Sequence, residues 1–224
     1  MVQRVSVDGG VSRRRLLATG AALAASAAAG CLGGGNGGGG GTDAKQQLPT
    51  PVAGDPDADV TVTVFEDFRC PHCRQYNLQE LPDVWSEYVD PGLVRYEHRD
   101  FPVVNDTSWT AANAARSVQN LGTVAKFWTY AKLLFANQSK LGPDAYAALG
   151  NEVDVDGKKV RSAANNRAYD PTIRYDRQTG RDQDVRATPT ILVDGTKVTD
   201  ADGNLTHSTD AVAAAIERAR SESG

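Results

Sequence analysis

The chain has 224 residues, with 24 basic and 28 acidic side chains, a formal net charge of −4 and three cysteines. This length fits one compact domain with additional segments, and the acidic balance argues against a nucleic-acid-binding protein, which would present a basic patch. Three cysteines are too few for a disulfide-rich scaffold, and no apolar run reaches the roughly 18 residues of a transmembrane helix.

Residues 1–30 have the organisation of an export signal. Arg13, Arg14 and Arg15 precede an alanine-rich stretch that runs to Ala29. A charged front, an apolar middle of about 14 residues and a small-residue end are typical of a signal peptide, and the middle is too short to span a bilayer. The adjacent arginines resemble the twin-arginine signal, which directs export of already folded proteins.

A lipid-attachment site is predicted at Cys31. Ala28, Ala29 and Gly30 precede this cysteine and resemble a lipobox, although an ordinary cleavage site beside an incidental cysteine is the alternative. Lipid chains on Cys31 would hold the protein at the membrane by burying methylene groups. We therefore expect the extracytoplasmic face of the cell membrane as its location.

The predicted linker covers residues 31–47. Eight of the 22 glycines lie in Gly33–Gly41, a composition that cannot build a core and behaves as a flexible tether. The chain as a whole has 21 Asp against 7 Glu and 17 Arg against 7 Lys, a bias that resembles salt-adapted proteins of haloarchaeal type. The folded part begins at residue 48.

The first strong structural signal is a strand followed by two cysteines. Val60–Phe65 is β-branched and apolar, which predicts a buried strand. Cys70-Pro71-His72-Cys73 follows and opens a helical pattern, in which Pro82 predicts a kink or a restart. Cys70 is expected at the helix N-cap and Pro71 at the first helical position, where proline is tolerated.

This placement predicts a reactive thiol. Exposed backbone N–H groups and the helix dipole stabilise a thiolate at Cys70, and His72 adds to the effect if it is protonated or donates a hydrogen bond. A low-pKa thiolate stabilises the reduced form, so a Cys70–Cys73 disulfide would be a strong oxidant. Cys73, one turn further along the helix, is expected to be the more buried, resolving thiol.

Two closely spaced cysteines also have three other interpretations. Half of a zinc site is disfavoured because only three histidines and no second cysteine pair remain. A structural disulfide is disfavoured because so short a loop gains little entropy. A copper chaperone that uses Cys70, Cys73 and a histidine such as His98 stays an alternative.

The middle of the chain, residues 108–184, predicts helices and no convincing strand. Ser108 to Gly122 is an alanine-rich helix, and Thr123 to Gln138 has an apolar face at helical spacing. Three further helices are predicted from Pro143, from Asp156 and from Asp170, the last with Asp170 as its N-cap. After residue 184 the pattern predicts a hairpin over Ile191–Val198 and a final amphipathic helix over Thr209–Arg220, while His207 between them is expected at the surface.

The segment Phe65–Cys73 resembles the active-site segment of DsbA-like thiol–disulfide oxidoreductases, members of the thioredoxin-fold superfamily. Leu93–Pro102 resembles the second strand of that family and the Phe-Pro turn after it, and Ala187–Gly195 resembles the segment that holds its cis-proline. The resemblance implies an α/β thioredoxin fold, formed by residues 48–107 and 185–224, with the helical domain 108–184 inserted. It also implies that Pro189 is cis and faces the disulfide, and that the backbone of Thr188 binds substrate chains.

One position departs from the family pattern. Many thioredoxin-fold enzymes carry a buried acid six residues before the first cysteine, and Val64 occupies that position here. Glu66 and Asp67 are candidates to replace it in proton transfer, and a role in a surface loop is the alternative for both.

The function that these patterns predict is thiol–disulfide exchange between the Cys70–Cys73 pair and thiol-containing exported proteins, in the direction of disulfide formation. Reduction of surface proteins, including cytochrome maturation, is the alternative direction. The predicted partners are an unidentified membrane redox protein and, through Cys31, the membrane itself, but not nucleic acid. Neither a cofactor nor a bound metal is expected.

Overall fold

The computed structural model describes residues 47–223. The predicted signal over residues 1–30, the lipid site at Cys31 and nearly all of the predicted linker lie outside these described residues. None of the helices in the described range is both long and apolar enough to cross a membrane.

A five-stranded mixed sheet forms the centre of the fold. Its strands are β1 (Val52–Gly54), β2 (Thr61–Glu66), β3 (Arg95–Asp100), β4 (Thr190–Val193) and β5 (Thr196–Lys197), in the spatial order β1-β3-β2-β4-β5. β2 and β3 are parallel, whereas all other neighbours are antiparallel. The sequence pattern did not predict the short edge strand β1. The central strand β2 leads directly into the cysteine motif.

The helix after β2 is interrupted by wide turns. α1 (Pro71–Gln75) and α2 (Leu81–Val84) are each followed by a π-helical segment, Tyr76–Glu80 and Trp85–Val89. Pro82 lies in the first turn of α2, where its missing N–H costs little. The irregularity predicted at Pro82 therefore takes the form of a π-helical turn before it.

Five helices connect β3 to β4. They are α3 (Asp106–Leu121), α4 (Val124–Ala136), α5 (Pro143–Glu152), α6 (Gly157–Asn165) and α7 (Asp170–Asp182), and a 3-10 turn at Gln138–Lys140 follows α4.

The side-chain caps of these helices explain where they begin. Asn105 caps α3 by accepting from the backbone N–H of Thr107, and Thr123 and Asp156 cap α4 and α6 in the same way. Asp170 was predicted as the N-cap of α7, which is wrong. It is the first helical residue, and its carboxylate accepts from the Asn113 amide at 3.0 Å.

Within the described residues there are two large apolar cores and a third, small cluster of four residues. One is formed between the sheet, α2 and the C-terminal helix α8 (Thr209–Ser223), and it includes Val62, Val64 and Ile216. The other lies within the inserted helices and includes Phe127 and Leu134. Cys70 and Cys73 belong to this second core, so the inserted helices cover one side of the cysteine pair.

The residues that precede and form β1 are hydrogen-bonded to the inserted helices as well as to the sheet. The backbone N–H of Leu48 donates to Thr172 Oγ1 on α7 at 3.0 Å, and Gln119 Nε2 on α3 donates to the Pro49 carbonyl oxygen at 2.8 Å. Further along, the Val52 carbonyl oxygen accepts from Trp128 Nε1 on α4 at 3.4 Å. This N-terminal segment, residues 47–54, therefore joins the sheet to three inserted helices.

Candidate active site

The two cysteines lie at the start of α1, at the end of the central strand. Cys70 is the N-cap with an extended backbone (φ −74°, ψ 123°), and Pro71 is the first helical residue, as predicted. Cys70 ends a turn that starts at Asp67. The backbone N–H of Cys70 donates to the Asp67 carbonyl oxygen at 2.9 Å and closes this turn. Both cysteines are free thiols in this structure.

Cys70 has the properties of an ionised nucleophile. A hydrogen bond from the Cys73 thiol lowers the pKa of Cys70 to about 5; burial opposes this, whereas the Thr188 side chain and the backbone N–H groups of Cys73 and His72 support it. Its Sγ also lies 3.1 Å from the Thr188 carbonyl oxygen, a contact that only the protonated thiol can use as a donor. At neutral pH the thiolate therefore predominates.

Cys73 has the opposite character. Its side chain is fully buried, and burial together with the adjacent Cys70 and Glu66 raises its pKa well above that of an ordinary thiol. The backbone N–H of Asp67 lies 3.5 Å from its Sγ and donates to it. The pair is thus divided into an ionised thiol that keeps a little solvent exposure and a protonated thiol that keeps none, as a nucleophile and a resolving thiol require.

The sheet brings Thr188 and Pro189 to the cysteine pair. Thr190 of β4 is paired with Phe65 of β2, so the loop before β4 meets the segment after β2. The Thr188–Pro189 peptide bond is cis, as predicted from the resemblance. Both residues are buried, and the Thr188 carbonyl oxygen contacts the Cys70 thiol.

Glu66 and Asp67 are both buried, so the interpretation of a surface loop is wrong for them. The side chain of Asp67 accepts from the backbone N–H groups of Arg69, Val103 and Val104 at 2.8–2.9 Å, which fixes the loops around Cys70. Glu66 accepts from the Asn77 amide and lies 3.1 Å from His98 Nδ1.

A network of buried charges continues from Glu66 toward the inserted helices. His98 Nε2 lies 3.1 Å from Asp100 Oδ1, and Asp100 Oδ2 accepts from Arg116 Nε at 2.6 Å. Arg116 also pairs with Asp176 of α7. Burial alone would lower the pKa of His98, but Asp100 and Glu66 outweigh it and raise that pKa to about 9. His98 is therefore an imidazolium ion held between two carboxylates.

Comparison with known proteins identifies the family. The family model described as thioredoxin matches residues 46–218, which is most of the chain. The chain belongs to the thioredoxin family. Among solved structures of this fold, Chlamydia trachomatis DsbA superposes with a TM-score of 0.69 at 20% identity, covering 80% of this chain and 96% of that one. The predicted thioredoxin fold with a helical insertion is thus confirmed.

Among its curated relatives, this thioredoxin-family chain covers a large share of one and a small share of another. The "Probable disulfide bond formation protein D" of Bacillus cereus is 26% identical over 149 residues, which are 63% of this chain and 68% of that protein. The "Na(+)/H(+) antiporter NhaA 3" of Salinispora tropica is 32% identical over 146 residues, 64% of this chain, but the chain spans only about a fifth of its length (21%). The first name agrees with the predicted enzyme class, a protein-disulfide oxidoreductase.

Within this thioredoxin-family site, the structure brings together five of the predicted residues, Cys70, Pro71, Cys73, Thr188 and Pro189. His72 contributes its backbone N–H to Cys70, and its side chain is exposed. Cys31 lies outside the described residues. Within residues 47–223, no three His, Cys, Asp or Glu side chains are placed to hold a metal ion.

Two features near the site were not expected from the sequence. His207, predicted at the surface, is half-buried: its ring lies 6.2 Å from that of His72 and 6.1 Å from that of Tyr76, and its Nδ1 is buried without a hydrogen-bond partner. Arg69 and Arg74 flank the cysteine motif on a shared cleft. The sequence signal for the arginines was available, since they are the basic residues nearest to the motif.

The lowered pKa of Cys70 predicts the pH dependence of its alkylation. In a reduced Cys31→Ser protein, the iodoacetamide rate should rise with pH to a midpoint near 5, because the thiolate is the nucleophile and its pKa is about 5. Mass spectrometry should locate the adduct on Cys70. Cys73→Ala removes the main hydrogen bond to the thiolate and should move the midpoint upward. A midpoint near the ~8.5 of an ordinary thiol in the parent protein would contradict this assignment.

Proposed function

We propose that the chain is a thiol–disulfide oxidoreductase that donates its Cys70–Cys73 disulfide to substrate proteins. The observation that carries this proposal is the opposite perturbation of two adjacent thiols, with the pKa of Cys70 lowered to about 5 and that of buried Cys73 raised. The relatives named as disulfide bond formation proteins support the same activity.

The stability of the Cys70 thiolate determines whether the pair oxidises or reduces its substrates. A thiol with a pKa of about 5 stabilises the reduced form at pH 7 by about 2.7 kcal/mol relative to an ordinary thiol, which corresponds to about 60 mV in a two-electron couple. A more stable reduced form makes the disulfide a stronger oxidant. Oxidation of substrates is therefore favoured over their reduction.

The reduction potential of the pair tests the proposed direction. Equilibration with glutathione should place it nearer to the roughly −120 mV of a strong oxidant than to the roughly −270 mV of a reductant. Thr188→Val removes a hydroxyl that lowers the pKa of Cys70, so this variant should be measurably more reducing. A potential near −270 mV would favour the reductase alternative, and tight stoichiometric copper binding without thiol oxidation would favour the copper chaperone.

We further propose an extracytoplasmic location, with a lipid on Cys31 and export through the twin-arginine route. The support is the sequence pattern of residues 1–31. Exported proteins with free thiols would be the substrates, and a membrane redox protein would restore the disulfide. Fractionation of cells that carry Cys31→Ser tests the anchor, since loss of the lipid should release the protein from the membrane.

A further inference from the structure

A cleft of about 430 Å³ opens directly beside the reactive cysteine. Its lining residues come from the start of the active-site helix and from the end of α4 with the turn that follows: Arg69, Pro71, Arg74, Ala136, Gln138 and Ser139. Because Arg69 and Pro71 are the chain neighbours of Cys70, a polypeptide bound at Cys70 would place its adjacent residues in or near this cleft.

The charge of this cleft is not neutralised by the protein itself. Within residues 47–223, neither Arg69 nor Arg74 has a carboxylate at ion-pair distance. Five other arginines on the surface do have one, at 2.7–3.4 Å, namely Arg161, Arg167, Arg174, Arg186 and Arg220. Among the described residues Arg177, Arg181 and Arg218 also lack one, so Arg69 and Arg74 are distinguished by their place beside the cysteine motif. Two unpaired arginines beside the motif are therefore a local positive site on a chain whose net charge is negative.

Arg69 is held in place but incompletely satisfied. Its Nη1 donates to the Gln138 carbonyl oxygen, whereas its Nε is buried without a partner. Asp67 forms no ion pair with the Arg69 guanidinium in the described residues, and its carboxylate instead accepts backbone N–H groups. The Gln138 amide donates to the carbonyl oxygens of Phe68 and Cys70 at 3.0 and 2.9 Å.

A half-buried guanidinium without an anion is partly desolvated and uncompensated. A carboxylate that entered the cleft would form charge-assisted hydrogen bonds with it, which are stronger than neutral ones. Arg74 is exposed, and it would add attraction during approach.

We propose that the basic cleft selects substrates with acidic side chains next to the reacting cysteine. The occupant is an Asp or Glu carboxylate of the substrate chain, bound by Arg69 and Arg74 while its neighbouring thiol reacts at Cys70. This inference rests on the proposed oxidation of protein thiols and specifies the class of substrate.

The test uses two reduced dithiol peptides of equal length that differ only in the residues beside one cysteine, Glu in one and Lys in the other. The oxidised full-length protein, carrying Cys31→Ser, should oxidise the Glu peptide with a kcat/KM about tenfold higher at low ionic strength, a ratio that corresponds to about 1.4 kcal/mol. Each peptide rate is divided by the rate of the same protein with dithiothreitol, which carries no charged group that Arg69 or Arg74 could bind. This division corrects for differences in intrinsic thiol-oxidising activity between variants.

Three variants locate the effect. Arg69→Gln combined with Arg74→Gln should reduce the ratio to twofold or less. Arg74→Gln alone changes an exposed side chain, so it should fold normally and lose part of the ratio. Arg186→Gln, which removes an arginine paired with Asp184 near the Thr188 loop, should keep the full ratio.

The outcomes separate the two proposals. Equal rates with both peptides in the parent protein, or an undiminished ratio in the double variant, would overturn the acidic selection while leaving the oxidase intact. Failure to oxidise dithiothreitol as well as both peptides would instead overturn the proposed function.

Discussion

Cys70→Ser should reduce the rate of disulfide transfer by at least about a thousandfold, because the atom that forms the mixed disulfide is removed. In the proposed reaction a substrate thiolate attacks Cys70 Sγ, and the Cys70–Cys73 bond breaks. Cys73 leaves with the electron pair and is then protonated. The raised pKa of Cys73 favours this protonation. The second substrate thiolate then attacks the substrate sulfur, and Cys70 leaves as a stable thiolate. Two substrate thiols are oxidised and one protein disulfide is reduced.

The companion variant Cys73→Ser should behave differently. Its Cys70 thiolate can still attack the disulfide of an oxidised substrate, which forms a mixed disulfide and expels one substrate thiolate. Because Cys73 is not there to release Cys70, this adduct should accumulate and be visible on non-reducing gels. Cys31→Ser is the matched control, since it changes the third cysteine and should leave exchange in solution unaffected. Exchange at the parent rate in Cys70→Ser would exclude this mechanism.

Arg116→Met should lower the free energy of unfolding by about 3–5 kcal/mol, the usual cost of removing one partner from a buried ion pair. The Arg116 side chain is fully buried, and it pairs with Asp100 of β3 and Asp176 of α7. Burial would raise the pKa of Asp100, but Arg116 and His98 outweigh it and the net pKa is lowered. Without Arg116, two carboxylates would remain in the interior with less compensation.

Urea unfolding monitored by tryptophan fluorescence measures this effect. Arg161→Met is the matched control, because its partner Asp144 is almost fully exposed and surface pairs contribute about 0–1 kcal/mol. A loss below about 1 kcal/mol in Arg116→Met would show that the two carboxylates find other partners or protons at little cost. That result would remove the network as a major link between the sheet and the inserted helices.

Local chemistry explains which parts of the fold could be predicted. The β-branched run before the motif predicts Val60–Phe65 as a strand, and the structure has Thr61–Glu66. Proline at the first helical position and the cysteine before it define the start of α1 correctly, because a helix start depends on a few adjacent residues. The helix starts predicted at Thr123 and Asp156 lie one residue before the first helical residues, Val124 and Gly157, for the same reason.

Contacts between distant residues account for what could not be predicted. Glu66 and His98 are 32 positions apart, and only the parallel pairing of β2 with β3 brings them together. The edge strand β1 has three residues, too few for a periodic pattern, and it exists because β3 provides the hydrogen bonds. His207 carries no local signal either, since its position beside His72 depends on how the loop before α8 packs on the active-site helix.

The attachment of residues 47–54 has a consequence for the order of folding. The backbone of Leu48 is hydrogen-bonded to Thr172, which lies 124 positions later in the chain. The backbone hydrogen bonds of Pro49 and Val52 span 70 and 76 positions. Contacts so distant in sequence form slowly, because closing a long loop costs entropy before the contact offsets it. We therefore expect this segment, which follows the predicted linker, to be among the last to become ordered. If export takes the proposed route for folded proteins, the docking of this segment, which the linker separates from the signal, would mark the completion of folding.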